Sequence, residues 1–230
     1  MIKILQIETA TDVCSVSVAI NGRVETIIET GETRTHSASL VPFIEKIYSC
    51  GKHNDIDAVA VSMGPGSYTG LRIGVSVAKG ICYGGGIPLI AISTLESMVN
   101  GYIQQLENNP PENSLFLPMI DARRMEVYTA IYNKEKVSIE ETRALIVEPD
   151  TFNSYLMKYK LYLFGPGAAK IKSVIQHRNL YISDDFKMSS EYMSELVYKK
   201  YKMKNFEDTA YFEPFYLKDF ITTISKKKVI

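Results

Sequence analysis

The sequence predicts an α/β fold made of two tandem halves that share the order β-β-β-α-β-α, the second half being reduced. Short runs rich in β-branched residues alternate with segments of helical periodicity, which indicates sheets covered by helices. A polar segment with two adjacent prolines interrupts the chain near its middle, at residues 108–114. Because the order of elements before this segment recurs after it, we divide the chain into a half at 1–107, a linker at 108–114 and a half at 115–230.

In the first half, apolar and β-branched runs predict the strands, and a period of 3.6 residues predicts the helices. The turn between the second and third strands is Asn21-Gly22, which is a strong hairpin signal. The predicted strands are 2–8, 14–20, 23–29, 58–62 and 87–92, and the predicted helices are 36–50, 67–82 and 94–106.

The second half repeats this order and ends in an aromatic segment at 211–220, which we expect to dock on a domain or on a partner. The predicted strands are 115–120, 126–132, 137–147 and 161–164, and helices are predicted at 149–158, after the Gly165-Pro166-Gly167 turn to about 176, and near 189–200. Two such halves packed together are typical of actin-like, ribonuclease H-like (ASKHA) folds, in which a nucleotide lies between the halves against the first hairpin turn of each. This similarity of architecture does not by itself predict an activity.

Composition excludes several classes of protein. The 26 Lys and Arg residues balance 26 Asp and Glu residues, so net charge does not indicate a nucleic-acid or lipid surface. No signal peptide and no apolar run of about 20 residues is present, so we expect no membrane contact. Cys14, Cys50 and Cys82 are widely spaced and are expected to be buried free thiols of a cytoplasmic protein. The dispersed histidines His36 and His53, with His177, predict no metal site.

The most informative motif is the run MGPGSYTGLRIG at 63–74, between a predicted strand and a predicted helix. Gly64 and Gly66 permit backbone angles that a side chain would forbid, and Ser67 is a natural helix N-cap. A glycine turn at a helix N-terminus can hold an anion, or it can be a tight strand-to-helix turn without a ligand. The run has neither the spacing of a phosphate-binding P-loop nor that of a dinucleotide fingerprint.

The helix that follows is apolar on two faces. One face carries Gly70, Gly74 and three β-branched residues, and the other carries Leu71, Val75, Ala78 and Cys82, with Tyr68 at its edge. A helix that is apolar on nearly all sides is buried on nearly all sides, so the second face packs either within this chain or against a partner. Gly70 and Gly74 are expected to allow a close helix approach, and Val75→Glu is expected to weaken association while leaving the fold intact.

Several segments together resemble the TsaB (YeaZ) family, closely up to about residue 132 and loosely beyond it. They are LQIETAT at 5–11, RTHS at 34–37 with LVP at 40–42, GPGSYTGLRIG at 64–74 with AKG at 78–80, IP at 87–88 with STLE at 93–96, and DARR at 121–124 with EVY at 126–128. The resemblance implies a non-catalytic subunit that serves in making threonylcarbamoyladenosine at position 37 of tRNAs that read ANN codons. It also implies a heterodimer with the transferase TsaD, which the small ATPase TsaE joins.

The family implies that two helices of the N-terminal half face TsaD. Because an apolar helix face can also pair with itself, we expect a homodimer through the same surface when TsaD is absent. The residues expected at this surface are Leu40, Phe43, Ile44, Ile47, Tyr68, Leu71, Gly74, Val75, Ala78 and Cys82.

Departures from the TsaD pattern argue against catalysis by this chain. TsaD carries a metal-binding H-x-x-x-H where this chain has Thr94 and Met98, a pair that makes a poor metal site. A glycine-rich turn of TsaD is replaced by Asp121-Ala122-Arg123-Arg124. The arginine pair Arg123 and Arg124 can meet a phosphate of tRNA or nucleotide, or it can form salt bridges across the hairpin.

Residual nucleotide binding is expected at the first hairpin, where Glu8 retains a carboxylate and Thr9 and Thr11 retain hydroxyls. No cofactor is expected on this chain itself, whereas ATP and a metal are expected on the partner subunits. The alternative is an enzyme of actin-like fold, either a kinase-like phosphotransferase or a peptidase of the glycoprotease type.

Overall fold

The computed structural model describes residues 1–30, 36–49 and 55–218. In the first half, the strands are β1 (Lys3–Glu8), β2 (Cys14–Ile20), β3 (Arg23–Thr30), β4 (Ala58–Gly64) and β5 (Leu89–Ser93), and the helices are α1 (His36–Ser49), α2 (Tyr68–Gly85) and α3 (Thr94–Gln104). In the second half, the strands are β6 (Ser114–Asp121), β7 (Glu126–Asn133), β8 (Ser138–Ile146), β9 (Lys160–Phe164) and β10 (Leu180–Ser183), and the helices are α4 (Asn153–Leu156) and α5 (Ser194–Lys202).

The two halves contain five-stranded sheets of the same topology. The strand order is β3-β2-β1-β4-β5 in the first and β8-β7-β6-β9-β10 in the second, when both are read from the third strand. In each sheet the first three strands are antiparallel, and the last two add in parallel through helical or 3₁₀ crossovers. The architectural repeat and the α/β, actin-like fold class that the sequence predicted are confirmed.

The layers follow from the alternation of side chains along the strands. Leu5 and Ile7 of β1 point to the side covered by α1 and α2. Ile4 points to the opposite side, which is covered by Val197 of α5 and by Met193 of the 3₁₀ turn before it. Helix α3 lies between the two sheets, and its apolar side chains pack with Phe116 and other residues of the second sheet. The remaining face of the second sheet is covered by α4 and a 3₁₀ turn at Ala169–Ser173.

The second half contains less helix than the sequence predicts. The helix expected at 149–158 is a single turn, Asn153–Leu156, whose N-cap position is Phe152 with no side-chain capping bond. Asn and Ser compete with the helical backbone for hydrogen bonds, which explains the short helix. The helix expected to end near 176 is the 3₁₀ turn Ala169–Ser173, and strand β10 was not predicted.

The other sequence predictions have mixed outcomes. Cys14 and Cys82 are buried free thiols as expected, whereas Cys50, His53 and Phe220 lie outside the described residues. In the part of the chain that the structure describes, no helix is both long and apolar enough to cross a membrane.

Candidate protein-interaction surface

The turn that follows β1 is buried beneath the glycine run. Glu8 and Thr9 are fully buried and Thr11 is nearly so. One carboxylate oxygen of Glu8, Oε1, accepts hydrogen bonds from the Ala10 amide at 2.6 Å and from the Ser62 hydroxyl at 3.0 Å. The other oxygen, Oε2, has no hydrogen-bond partner among the described residues. Burial raises the pKa of Glu8 to about 7, against the opposing effect of these hydrogen bonds.

The expected nucleotide-binding residues lie together but are not accessible. The hydroxyl of Thr9 donates to the Gly70 carbonyl at 2.8 Å, and the hydroxyl of Thr11 accepts from the Val13 amide at 3.4 Å. The amide of Ser67 donates to the Ala10 carbonyl at 2.7 Å, so the glycine run itself covers the turn. The expectation of residual nucleotide binding at Glu8, Thr9 and Thr11 is therefore corrected, because this chain already fills the space above them.

The glycines of the run allow this coverage. A Cβ at Gly66 would overlap Ala10, and a Cβ at Gly70 or Gly74 would overlap Thr9. Gly70 and Gly74 therefore permit close approach to the hairpin turn of the same chain, and not to another helix as the sequence suggested. Ser67 caps α2 as predicted by accepting a hydrogen bond from the Gly70 amide at 3.3 Å. These contacts are those of a tight strand-to-helix turn, the second of the two interpretations.

The apolar face of α2 that the sequence predicted at the partner surface is a core face in the structure. The face with Leu71, Val75, Ala78 and Cys82 is buried against the sheet of this chain, with at most 4% exposure. Most of the α1 residues expected at the interface are core residues for the same reason, namely Leu40, Ile44 and Ile47. Periodicity identifies apolar faces but does not tell which one the sheet takes.

A different set of apolar side chains remains at the surface of α1 and α2, and we call it the α1–α2 surface. Helix α2 contributes Ile73, Val77 and Ile81, which are only partly buried and lie on one face at spacings of four residues. Helix α1, which contacts α2, contributes Phe43 and Tyr48, also partly buried, together with Val41. Val41 is 45% exposed and shares a helix face with Tyr48.

Of the expected partner-binding residues, Phe43 belongs to this surface, and Tyr68 lies partly exposed at the start of α2. Ile73, Val77 and Ile81 are on the other apolar face of α2 and were not among the residues predicted at the interface. The sequence feature that could have identified them is a β-branched residue at every fourth position of α2. This pattern was obscured because Gly70 and Gly74 lie on the same face.

The aromatic C-terminal segment packs on the first half, and we call residues 205–218 the C-terminal strap. The Glu207 amide donates to the Leu89 carbonyl at 2.9 Å, and the Phe215 amide donates to the Met63 carbonyl at 2.7 Å. The ammonium of Lys79 on α2 donates to the carbonyls of Ala210 and Phe212, at 3.1 and 2.9 Å. The strap thus lies along the side of α2 that carries Arg72, Ser76 and Lys79. The sequence left open whether this aromatic segment packs on its own chain or on a partner, and its described residues pack on the first half of the same chain.

The metal position of TsaD does not fit a metal in this chain. Thr94 is fully buried, with a hydroxyl that has no partner among the described residues, and Met98 packs in the apolar core between the sheets. A Cβ on Gly165 would overlap the Met98 methyl group, so the thioether fills this space. Within residues 1–30, 36–49 and 55–218, no three His, Cys, Asp or Glu side chains gather in a metal-binding arrangement.

The arginine pair occupies the turn between β6 and β7, and both side chains are exposed. Neither guanidinium forms an ion pair with a described residue, so the predicted salt bridges across the hairpin are absent from that part of the chain. The phosphate-binding alternative for Arg123 and Arg124 stays open.

Fold and site together define an actin-like α/β protein whose first hairpin is closed and whose helices α1 and α2 carry partly buried apolar side chains. A family model described as "TsaD: tRNA N6-adenosine threonylcarbamoyltransferase" matches residues 27–225. The tRNA threonylcarbamoyladenosine biosynthesis protein TsaB of Haemophilus influenzae is 32% identical over 230 residues, which cover 95% of this chain and 94% of that protein. The chain belongs to the TsaB (YeaZ) family of tRNA threonylcarbamoyladenosine biosynthesis proteins.

Other relatives agree with this membership. TsaB of Escherichia coli K12 is 37% identical over 149 residues, which cover 63% of this chain and 62% of that protein. YeaZ from Pseudomonas aeruginosa has the same fold, with a TM-score of 0.79 and 21% identity over 94% of this chain and 100% of that one. A tRNA N6-adenosine threonylcarbamoyltransferase of Clostridium botulinum is 33% identical over 129 residues, which cover 48% of this chain and 38% of that protein.

Proposed function

We propose that this chain is a non-catalytic subunit that docks on TsaD through the α1–α2 surface and supports threonylcarbamoyl transfer to A37 of ANN-decoding tRNAs. The observation that carries the proposal is the row of partly buried apolar side chains Ile73, Val77 and Ile81 on α2, a helix that contacts α1. A binding partner that contributes no chemistry can activate an enzyme by stabilising its active conformation.

The α1–α2 surface is suited to a protein partner. The side chains of this surface are large and apolar, and they lie on two helices that pack on the sheet. The β-branched side chains Ile73, Val77 and Ile81 are also rigid at χ1. Apolar groups of this kind that cluster at the surface mark interaction sites. Because α1 and α2 belong to the repeated half shared with TsaD-like proteins, a related pair of helices on TsaD is a complementary partner, and a second copy of this chain is a competing one.

Two features support a role without catalysis. The carboxylate of Glu8, at the position where actin-like ATPases organise Mg²⁺, is fully buried and covered by Thr9 and the glycine run. Thr94 and Met98 stand where TsaD carries two imidazoles. In this proposal, ATP and the metal reside on TsaE and TsaD, the tRNA is bound by the assembled complex in the cytoplasm, and this chain forms a homodimer when it is alone.

Light scattering after size exclusion tests the proposal, on this chain alone and mixed with TsaD of the same source. The wild-type chain is expected to form a homodimer alone and to convert to a heterodimer with TsaD. The variant Val77→Glu places a charge in the α1–α2 surface and is expected to abolish both associations. The control is Val137→Glu on the second half, at a side chain that is 56% exposed and outside this surface.

Val41→Glu is the second variant, because its native side chain is 45% exposed and the substitution perturbs the fold little. Loss of association for Val41→Glu and Val77→Glu, with retention for Val137→Glu, supports the proposed surface. A wild-type chain that does not bind TsaD contradicts the proposed function. Binding that all three variants retain places the interface elsewhere.

A further inference from the structure

The turn between β6 and β7 has an unusual backbone. Arg123 and Arg124 have φ values of 69° and 50°, in the left-handed region that side chains other than Gly, Asn and Asp seldom adopt. Two such residues in succession are normally Asn-Gly or Gly-Gly in a tight hairpin. Arginine has no short polar side chain to compensate the strain, so stability alone does not explain these two residues at this turn.

Hydrogen bonds hold the turn in this conformation. The Ala122 amide donates to the Glu126 carbonyl at 3.1 Å, and the Arg123 amide donates to the Asp121 carboxylate at 2.8 Å. The ammonium of Lys170 donates to the carbonyls of Arg124 and Glu126, at 2.9 and 2.6 Å. The backbone of both arginines is thereby fixed, while their side chains project from the surface.

The charges around the turn leave the two guanidinium groups without a counter-ion among the described residues. The Asp121 carboxylate pairs with Lys170 at 2.6 Å, and the Glu126 carboxylate pairs with Lys218 of the C-terminal strap. The two carboxylates nearest in sequence are therefore neutralised by lysines. Arg123 and Arg124 retain a local excess of two positive charges within an otherwise neutral chain.

We propose that Arg123 and Arg124 form a contact site for the backbone phosphates of RNA. The guanidinium fork matches the oxygen geometry of a phosphate and is always charged. Both side chains are exposed, and the clefts beside Tyr102 and beside Arg72 are lined by other residues, so the site suits a polyanion that passes over the surface and not a nucleotide held in a cleft. The choice of RNA rests on the proposed function, while the phosphate chemistry does not.

The test is the salt dependence of binding to a labelled tRNA transcript, measured by fluorescence anisotropy between about 50 and 200 mM salt. The variant is the double substitution Arg123→Gln and Arg124→Gln, which removes two charges and keeps the turn residues long and polar. The control is Arg23→Gln with Arg178→Gln, two exposed arginines whose replacement changes net charge equally. Binding of the tRNA to each variant and to the wild-type chain is measured with the chain alone and with the chain mixed with TsaD. ATP is added as a competitor of the tRNA.

The hairpin variant is expected to weaken tRNA binding and to make the negative slope of log K against log salt shallower by about two, one for each phosphate that an arginine no longer neutralises. The control variant is expected to keep the wild-type slope. Equal slopes for hairpin variant, control and wild type overturn the inference, as does an effect confined to ATP binding. Light scattering of the same mixtures reports whether the chain binds TsaD. Failure of the proposed function is therefore distinguished from failure of the RNA contact at Arg123 and Arg124.

Discussion

Thr9 and Gly74 lie so close that a Cβ on residue 74 would overlap the Thr9 hydroxyl oxygen. One turn earlier in α2, a Cβ on Gly70 would overlap the Thr9 carbonyl oxygen, and the Thr9 hydroxyl donates to the Gly70 carbonyl at 2.8 Å. Helix α2 thus rests directly on the turn after β1. This contact fixes the first two turns of α2 against the hairpin, and Ile73 and Val77 of the same helix are partly buried.

Gly74→Ala and Gly70→Ala are both expected to destabilise the chain, by about 1–3 kcal/mol, because each forces a methyl group into Thr9. The two differ in how they respond to Thr9→Ala. Removal of the Thr9 side chain relieves the overlap at residue 74, whereas the overlap at residue 70 involves the backbone and persists. Double-mutant cycles from urea unfolding are expected to show coupling of about 1 kcal/mol or more for the first pair and little for the second.

Gly80→Ala is the control for this cycle, because nothing lies within 4 Å of a Cβ at that exposed position of the same helix. It is expected to stabilise the chain by up to about 1 kcal/mol through helix propensity. Equal coupling of Thr9→Ala with both glycine variants would contradict the contact described above.

The buried carboxyl of Glu8 is expected to make stability depend on pH. Its pKa rises from an ordinary value of 4.5 to about 7 on folding, so the folded chain binds more protons than the unfolded chain between these values. The free energy of unfolding therefore falls by about 3 kcal/mol as pH rises from 4.5 to 7, and it levels off above pH 7.

Glu8→Gln removes this titration. Urea unfolding at several pH values is expected to show the variant gaining stability relative to wild type as pH rises through this window, and Glu45→Gln, an exposed change on α1, is expected to show no such trend. If the difference in the free energy of unfolding between Glu8→Gln and wild type were constant from pH 4.5 to 8, folding would not raise the pKa of the Glu8 carboxyl.

Val75 and Val77 are two residues apart but have opposite surroundings. Val75 is 4% exposed and faces the sheet, whereas Val77 is partly exposed on the α1–α2 surface. Val75→Glu buries a charge without a partner and is expected to lower stability by more than about 3 kcal/mol or to prevent folding, whereas Val77→Glu is expected to remain folded. Thermal melts followed by circular dichroism distinguish the two, and similar melting temperatures would refute the assigned orientation of α2.

The C-terminal strap is held to α2 by the two hydrogen bonds from Lys79. Lys79→Met keeps the aliphatic stem and removes the ammonium, and it is expected to weaken the strap locally by about 1–2 kcal/mol. Hydrogen exchange is expected to accelerate in peptides covering residues 207–216, while the peptide covering β1 is unchanged. Lys46→Met, at an exposed position of α1, is the control and is expected to alter neither peptide.

Much of the fold was accessible from local signals. Strand β2 and the start of α1 match the prediction, and Ser67 caps α2 as expected. The repeated order of elements predicted two equivalent sheets, because periodicity and turn chemistry are properties of short stretches of chain. The misses lie in the second half, where Phe152 stands at the cap position and helix formers are few, so tertiary packing decides the backbone.

The site was less accessible, since its position depends on contacts between distant residues. The family motifs, the two apolar faces of α2 and the absence of imidazoles at residues 94 and 98 are evident from the amino-acid sequence. Contacts between distant residues place Thr9 against Gly70 and Gly74 above the buried Glu8, and they leave Ile73 and Val77 partly buried. This difference arises because a helical period shows which residues share a face, whereas the face that packs against the sheet depends on the close approach of a turn about sixty residues earlier in the chain.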